Sequence, residues 1–137
     1  MNGHDAAVAV PALSVVVVSF NGAAILRDCL ATLMPDARRV GAEVIAVSNW
    51  QDASGRDALE RDFPDTRWVN APDGHIVPRL RRLGMAASHG QIVAILEDDC
   101  LVAPGWCEAI LVAHRTPDVA ICGAVEPGHY RRSIDGA

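Results

Sequence analysis

Runs of consecutive apolar residues alternate along the chain with segments in which apolar residues recur every three or four positions. A short run that is apolar throughout is typical of a parallel strand covered on both faces, and the longer spacing is typical of a helix. The pattern predicts strands at residues 13–18, 43–47, 66–70, 92–96 and 119–122, and helices at residues 23–33, 56–62, 76–88 and 104–114. The strand at 92–96 is expected to be buried and central. The first helix is expected to stop at Pro35, because proline has no backbone N–H.

Alternating strands and helices predict an α/β fold with a doubly wound, mostly parallel, Rossmann-like sheet, because crossover helices then cover both faces. A chain of 137 residues, half of them apolar, is long enough for one hydrophobic core. We expect a single domain at residues 13–128. Residues 1–12 are weakly patterned and are interpreted as a loose leader, and residues 129–137 are interpreted as a tail.

Polar side chains follow the three strongest strands at the points where those strands end. The polar ends are Phe20-Asn21, Ser48-Asn49 and Glu97-Asp98-Asp99. Parallel α/β sheets bind ligands at the carboxyl ends of their strands, so we expect these residues to converge on one site.

Three adjacent carboxylates repel one another, and a bound divalent cation, which prefers oxygen ligands, commonly offsets this repulsion. Magnesium is usually held by one or two carboxylates together with substrate phosphates, and manganese accepts the same ligands. The acidic strand end therefore suggests Mg²⁺ or Mn²⁺ carrying a nucleotide diphosphate. An acidic turn that caps the helix starting near Pro104 is the alternative interpretation.

Composition narrows the classes of partner. The net charge of −5 argues against nucleic acid, because binding to a phosphate backbone requires a basic surface. No run reaches the roughly 18 apolar residues of a transmembrane segment. Four cysteines without a C-x-x-C pair are typical of buried, reduced thiols, which predicts a cytoplasmic protein, with any membrane attachment peripheral.

Histidine and tryptophan residues give no separate signal for a site. The histidines have no metal-ligand spacing and are interpreted as surface residues: His75, His89, His114 and His129. Trp50 and Trp106 are interpreted as packing residues, although Trp50 lies beside the predicted site.

Four segments of the chain are notable together: Ser14 to Asn21, Arg81 to Met85 followed by Gly90, Leu96-Glu97-Asp98-Asp99, and Pro104-Gly105-Trp106. In this order and spacing they resemble the donor-binding half of the family 2 glycosyltransferases, which have the GT-A fold. The resemblance runs from about Leu13 to Gly128, and the third segment resembles the family's D-x-D metal motif. The resemblance implies transfer of a sugar from a nucleotide-diphosphate donor to a hydroxyl or lipid-linked acceptor, assisted by Mn²⁺ or Mg²⁺.

The resemblance also implies roles for individual residues. Asp99 matches the metal ligand, Glu97 faces a ribose hydroxyl or a metal-bound water, and Asp98 flanks them or supports them from behind. Phe20 and Asn21 line the floor of the nucleoside pocket, with Ser48 and Asn49 at the second strand end. Arg81 pairs with the acids or with a phosphate, unless it belongs to a solvated helix face with Arg79 and Arg82.

Three positions depart from the family pattern. Ser48 stands where the family usually has an aspartate that contacts the nucleoside, and this removes a charge-assisted hydrogen bond. Glu97 is one methylene longer than the usual first acid, and Arg82 replaces a common asparagine.

The family's acceptor base and acceptor pocket lie well after the D-x-D motif, so we expect the chain to be truncated before its acceptor half, and the catalytic base is unknown. A non-catalytic nucleotide-sugar-binding module acting in a complex is the alternative function. A nucleotidyltransferase is disfavoured, because no glycine-rich phosphate loop follows the first strand. The uncovered apolar surface of such a truncated domain would favour a homodimer.

Overall fold

The computed structural model describes residues 9–128. In chain order its elements are β1 (Leu13–Ser19), α1 (Ala23–Val40), β2 (Glu43–Ser48), α2 (Ala53–Asp62), β3 (Thr66–Asn70), α3 (Val77–Ala87), β4 (Ile92–Glu97) and α4 (Trp106–Ala113). The four strands form one parallel sheet in the order β3-β2-β1-β4. The predicted α/β, Rossmann-like fold is confirmed.

The inner strand β1 carries the core, because all seven of its residues are buried. Side chains alternate along the strand, so Val15 and Val17 pack towards α1 whereas Val16 and Val18 pack towards α3. Full burial of each valine contributes about 1.5–3 kcal/mol relative to an exposed side chain. This double burial explains why the run is apolar at every position.

Helix α1 continues through Pro35 to Val40, so the predicted stop at Pro35 is wrong. Proline removes the hydrogen bond that its N–H would make to the carbonyl of residue 31. Ala31 and Pro35 are both exposed, so the unused carbonyl lies on the solvent side of the helix. Met34 and Ala37 are buried on the other side, and their packing outweighs the loss.

Strand β4 lies at the edge of the sheet, which corrects the expectation of a buried, central strand. Ala94 and Leu96 pack against the core on the α1 side. On the opposite face, Val93 is 38% exposed and Ile95 is 40% exposed, because α3 packs over β1 and β2. An apolar run therefore indicated a strand here but did not distinguish an edge from the centre.

The predicted fifth strand at residues 119–122 is absent from the described part of the chain, where these residues have no regular secondary structure and are exposed. Strand propensity depends on packing against a neighbouring surface, and Val119 and Ile121 remain 37% and 45% exposed. Across residues 9–128, no helix is both long and apolar enough to span a bilayer.

A cluster at the amino edge of the sheet ties β1, β2 and the α3–β4 connection together around Glu43. Its Oε2 accepts hydrogen bonds from Ser14 Oγ at 2.6 Å and from the His89 backbone N–H at 2.9 Å. Its Oε1 accepts from Arg67 Nη1 at 3.2 Å and lies 2.9 Å from His89 Nδ1. Burial opposes ionisation, but the hydrogen bonds from Ser14, His89 and Arg67 prevail and lower the pKa of Glu43 from 4.5 to about 2.

The lowered pKa predicts a specific acid sensitivity. The carboxylate stabilises the fold above pH 4.5, and this contribution is lost as the pH falls towards 2, where the folded state also becomes protonated. At most about 3 kcal/mol is involved. We expect Glu43→Gln to flatten the fall in unfolding free energy between pH 4.5 and 2, measured by urea denaturation. Glu60→Gln, at an exposed position of α2, is the matched control, and an equal flattening there would contradict the assignment.

Candidate functional site

The carboxyl ends of β1, β2 and β4 lie side by side at one edge of the sheet. Ser19 is in register with Ser48 on one side of β1, and Val18 is in register with Glu97 on the other. Both serines are fully buried. The polar residues that end these strands are therefore neighbours.

Asp98 joins the ends of β1 and β4. Its side chain is 1% exposed, and its Oδ2 accepts hydrogen bonds from Ser19 Oγ at 2.8 Å, Phe20 N at 3.1 Å and Asn21 N at 3.0 Å. Asn21 Nδ2 donates to the second oxygen, Oδ1, at 2.7 Å. Both carboxylate oxygens are thus occupied by protein donors, so Asp98 shapes the loop after β1. The ring of Phe20 is 38% exposed at this edge.

After Glu97 the chain makes a tight turn, so the side chains of Asp98 and Asp99 point in different directions. The Asp98 N–H donates to Val18 O at 3.0 Å and continues the strand pairing, whereas the Cys100 N–H bonds back to Glu97 O at 3.1 Å and closes the turn. Asp98 consequently faces inward, while Asp99 is exposed to solvent.

Glu97 is held by helix α3. Arg81 Nη2 donates to Glu97 Oε1 at 2.8 Å, and the two side chains are 43% and 37% exposed. The predicted pairing of Arg81 with an acid is thus present, whereas Arg79 and Arg82 are exposed. Half-exposed ion pairs contribute only about 0–1 kcal/mol to stability, so the pairing mainly orients Glu97.

At the end of β2 lies an arginine, Arg56, that the sequence pattern did not indicate as part of the site. Arg56 Nη2 donates to Ser48 Oγ at 2.9 Å and to Trp50 O at 3.1 Å, and its guanidinium lies 5.2 Å from the centre of the Trp50 ring. Asn49 Nδ2 donates to His75 O at 2.8 Å and links the β3–α3 loop to the same place.

The N-cap of helix α2 is a sequence signal that would have placed Arg56 near the end of β2. Helix α2 starts at Ala53, because Asp52 caps it by accepting a hydrogen bond from the Gly55 N–H at 2.9 Å. Aspartate is a favoured cap residue, and recognising it would have put Arg56 in the first helical turn after β2. The predicted start at residue 56 was too late.

The structure corrects the predicted exposure of two histidines and supports the prediction that Trp50 and Trp106 are packing residues. His89 is exposed as expected, but His75 and His114 are partly buried, and His129 lies outside the described residues. Trp50 and Trp106 both pack against the core, and Trp50 Nε1 also donates to Ser19 Oγ at 2.9 Å.

The two buried cysteines, Cys29 and Cys107, are not nucleophiles at neutral pH. All four are free thiols. Burial, followed by the neighbouring Cys100, Asp98 and Asp99, raises the pKa of Cys29 to about 12. Burial and the hydrogen bond to Asp36 raise the pKa of Cys107 to about 12 as well. Both buried thiols are therefore protonated at neutral pH.

The carboxylates at the end of β4 can hold a divalent cation only if water and a bound diphosphate supply the remaining coordination positions. Within residues 9–128, no three His, Cys, Asp or Glu side chains are grouped to hold a metal ion. Protein donors occupy Asp98, and Arg81 holds Glu97. Asp99 is exposed to solvent, and its Oδ1 lies 3.8 Å from Cys100 Sγ. An exposed carboxylate fits Mg²⁺ or Mn²⁺ whose other ligands are water and diphosphate oxygens.

A cavity of about 620 Å³ lies between α1 and α4, away from this edge. Its lining residues are Arg39, Val40, Glu108, Leu111, Val112 and Arg115. Because α1 runs from the carboxyl edge of the sheet to the amino edge, its final residues lie far from the strand ends described above. The cavity is therefore separate from the candidate site.

Comparison with known proteins identifies the family. The glycosyl transferase family 2 matches residues 14–132. A putative glycosyltransferase, EpsH from Bacillus subtilis (strain 168), is 30% identical over 115 residues, which cover 82% of this chain and 33% of that protein. The crystal structure of S. aureus TarS 1-349 is similar with a TM-score of 0.64 and 14% identity, covering 75% of this chain and 32% of the TarS 1-349 chain.

A second solved structure is that of the mannosyltransferase PcManGT from Pyrobaculum calidifontis in complex with GDP-Man and Mn²⁺. It is similar with a TM-score of 0.65 and 20% identity, covering 82% of this chain and 34% of PcManGT. The chain thus spans about a third of the length of EpsH, of the TarS 1-349 chain and of PcManGT. With a family match that covers most of its residues, the chain belongs to glycosyl transferase family 2.

Proposed function

We propose that this chain binds the nucleotide-diphosphate part of a sugar donor in a metal-assisted glycosyltransferase. One observation carries the proposal: Asp98, buried and fully hydrogen-bonded, holds the ends of β1 and β4 together and leaves Asp99 exposed beside them. PcManGT, which has a similar fold, was solved with GDP-Man and Mn²⁺, and this supports the same class of ligand.

The proposed roles follow the positions of the side chains. Asp99 is the protein's ligand to Mn²⁺ or Mg²⁺, and Glu97, oriented by Arg81, faces the ribose or a metal-bound water. The residues proposed to line the nucleoside pocket are Phe20, Asn21, Ser48 and Asn49. Asp98 acts through the loop that it holds, because its oxygens are occupied by Ser19, Phe20 and Asn21.

The cation, when bound, would stabilise the negative charge of the departing diphosphate as a Lewis acid. The protein's own contribution is orientation, because the hydrogen-bonded strand ends fix the donor-binding edge before the ligand arrives. A hydroxyl or lipid-linked acceptor and the base that deprotonates it are assigned by family resemblance alone. A cytoplasmic location, favoured by the four free thiols, and a homodimer are likewise proposals.

A non-catalytic binding module remains the second candidate, and Ser48 favours it. Its hydroxyl is buried and accepts a hydrogen bond from Arg56, so the β2 end has a neutral group where the family usually has a carboxylate. The two functions differ in turnover. Incubation with manganese and a nucleotide sugar would release sugar or glycosylated product from a transferase, whereas a binding module would retain the intact donor.

The metal assignment predicts that nucleotide-sugar binding depends on a divalent cation. We expect calorimetric titration with a panel of nucleotide sugars to detect binding in Mn²⁺ and none in chelator. Asp99→Asn should weaken binding about 100-fold, because one carboxylate supplies the protein's charge at the cation. Asp57→Asn, at an exposed position of α2, should have no effect. Equal binding in chelator, or equal losses in both variants, would contradict the assignment.

A further inference from the structure

Strand β4 ends the sheet, so in the described part of the chain no strand pairs with its outer edge. The N–H groups of Ile92 and Asp98 donate towards β1, with N–O distances of 3.0 Å in both cases. Because the N–H and C=O groups of successive strand residues alternate in direction, those of Val93 and Ile95 face away from β1. A row of unpaired backbone groups of this kind is a template for another strand.

The face of β4 beside this edge is apolar and partly exposed. Val93 and Ile95 lie on it, where α3 covers β1 and β2 but not β4. Met85 follows Arg81 by one turn of α3 and is 46% exposed. One helical turn rises about 5.4 Å, close to the span of two strand residues. Since Arg81 pairs with Glu97, Met85 lies at the level of Ile95. Met85, Val93 and Ile95 are called the β4 patch below.

The outer edge of β4 lacks the features that usually prevent strands from pairing at the edge of a sheet. Natural proteins protect such edges with prolines or charged side chains. The opposite edge strand, β3, has the exposed charge of Arg67 in its interior. Between Ile92 and Leu96, β4 has neither a charged residue nor a proline. Of the two edges of the sheet, that of β4 is therefore the one suited to a strand partner.

The sequence of β4 is complementary to itself. In an antiparallel pair of two β4 strands centred on Ala94, Val93 lies opposite the partner's Ile95, and Ile95 lies opposite the partner's Val93. These residues have their N–H and C=O groups turned outward, so each opposite pair can exchange both of its backbone hydrogen bonds. The two-fold axis of such a pair is perpendicular to the sheet, and the two β4 patches meet on one face. Glu97 lies opposite the partner's Gln91, so no like charges oppose the pairing.

We propose that two copies of this chain associate through β4 and the β4 patch and form one continuous sheet. The antiparallel arrangement places the carboxyl end of each β4 beside the amino end of the other. The two candidate sites consequently lie at opposite ends of the joined strands, and Asp99 of each copy stays accessible. This dimer does not depend on the proposed function, because none of the contacts that form it involves the ligand.

Sedimentation equilibrium over a range of chain concentrations tests the proposal. We expect a reversible equilibrium between monomer and dimer for the unmodified chain. Ile95→Lys should weaken dimerisation at least about tenfold, because the two-fold axis places a lysine opposite an apolar side chain twice in each dimer. Val93→Glu should weaken it to a similar extent for the same reason.

A double variant tests the register of the two strands. When Val93→Glu and Ile95→Lys are combined, each introduced carboxylate lies opposite an introduced ammonium group of the other copy. Opposite charges across an antiparallel pair are stabilising, so the double variant should regain most of the dimerisation that either single variant loses. Val112→Lys, at an exposed apolar position of α4, is the matched control and should leave the equilibrium unchanged.

Thermal unfolding identifies any variant that does not fold, in which case the remaining single variant decides. A monomer at every concentration, or a dimer that neither folded single variant weakens, would overturn the proposal. An equal loss in Val112→Lys would overturn it as well, because the effect would then not be specific to β4. A folded double variant that dimerises no better than the single variants would exclude the pairing centred on Ala94.

Discussion

Replacing Asp98 by alanine is expected to lower the free energy of unfolding by about 3–5 kcal/mol. The substitution removes the acceptor for four donors at once: Ser19 Oγ, the N–H groups of Phe20 and Asn21, and Asn21 Nδ2. Hydrogen bonds to a charged group contribute about 1.5–3 kcal/mol each, and the exposed loop after β1 recovers part of the loss through water. Asp98→Asn keeps the volume but places an amide among donors, so it should be intermediate.

The neighbouring acid provides the control. Asp99→Ala changes an exposed carboxylate one residue away and should alter stability by less than about 0.5 kcal/mol while abolishing cation-dependent binding. Urea denaturation of both variants measures the first effect, and calorimetry in Mn²⁺ measures the second. Similar stability losses for the two variants would show that Asp98 does not have the structural role assigned to it.

Replacing Gly84 by valine is expected to prevent stable folding. Gly84 is buried where α3 crosses the sheet, and a Cβ atom at this position would overlap Val16 Cγ1 and lie 3.0 Å from Val47 Cγ2. Glycine to alanine inside a helix normally stabilises it by about 1 kcal/mol, but here overpacking should reverse the sign and destabilise by about 1–3 kcal/mol. Valine adds two more carbons and should exceed that range.

A double-mutant cycle separates overpacking from helix propensity. Val16→Ala removes the overlapping methyl groups, so Gly84→Ala should be better tolerated in that background than in the unmodified chain. Ala86→Val, at an exposed position of α3, reports propensity alone and should destabilise by less than about 1 kcal/mol. A stabilising effect of Gly84→Ala would contradict the close packing of α3 against β1 at this position.

The sequence predicted the fold class and the ends of β1 and β2 because burial on both faces makes these two strands largely apolar. The pattern of apolar and polar residues did not by itself predict which acid faces inward. Strand alternation ceases at the turn after Glu97, so only the hydrogen bonds from Ser19 and Asn21 distinguish Asp98 from Asp99. The roles assigned to these residues in ligand binding stay predictions.

The errors at β4 and at residues 119–122 have a common physical cause. The apolar content of a segment indicates a tendency towards burial. Whether another element covers the segment depends on the strand order. Here α3 covers β1 and β2 and leaves one face of β4 partly exposed. Pro35 was misread for a related reason, since its tolerance depends on which side of α1 faces solvent.

The order of the strands also constrains how the chain reaches its native state. β2 and β3 are each added next to the strand that precedes them, whereas β4 must return to β1, and Ser19 and Asp98 are 79 residues apart. Closing so long a loop is entropically unfavourable and slow, so strand β4 is expected to dock after the other three have assembled. A nascent or partly folded chain would then contain Ser48 and Arg56 in place but no joined acidic strand end. Ligand binding would begin only with the last step of folding, and binding kinetics during refolding would time that step directly.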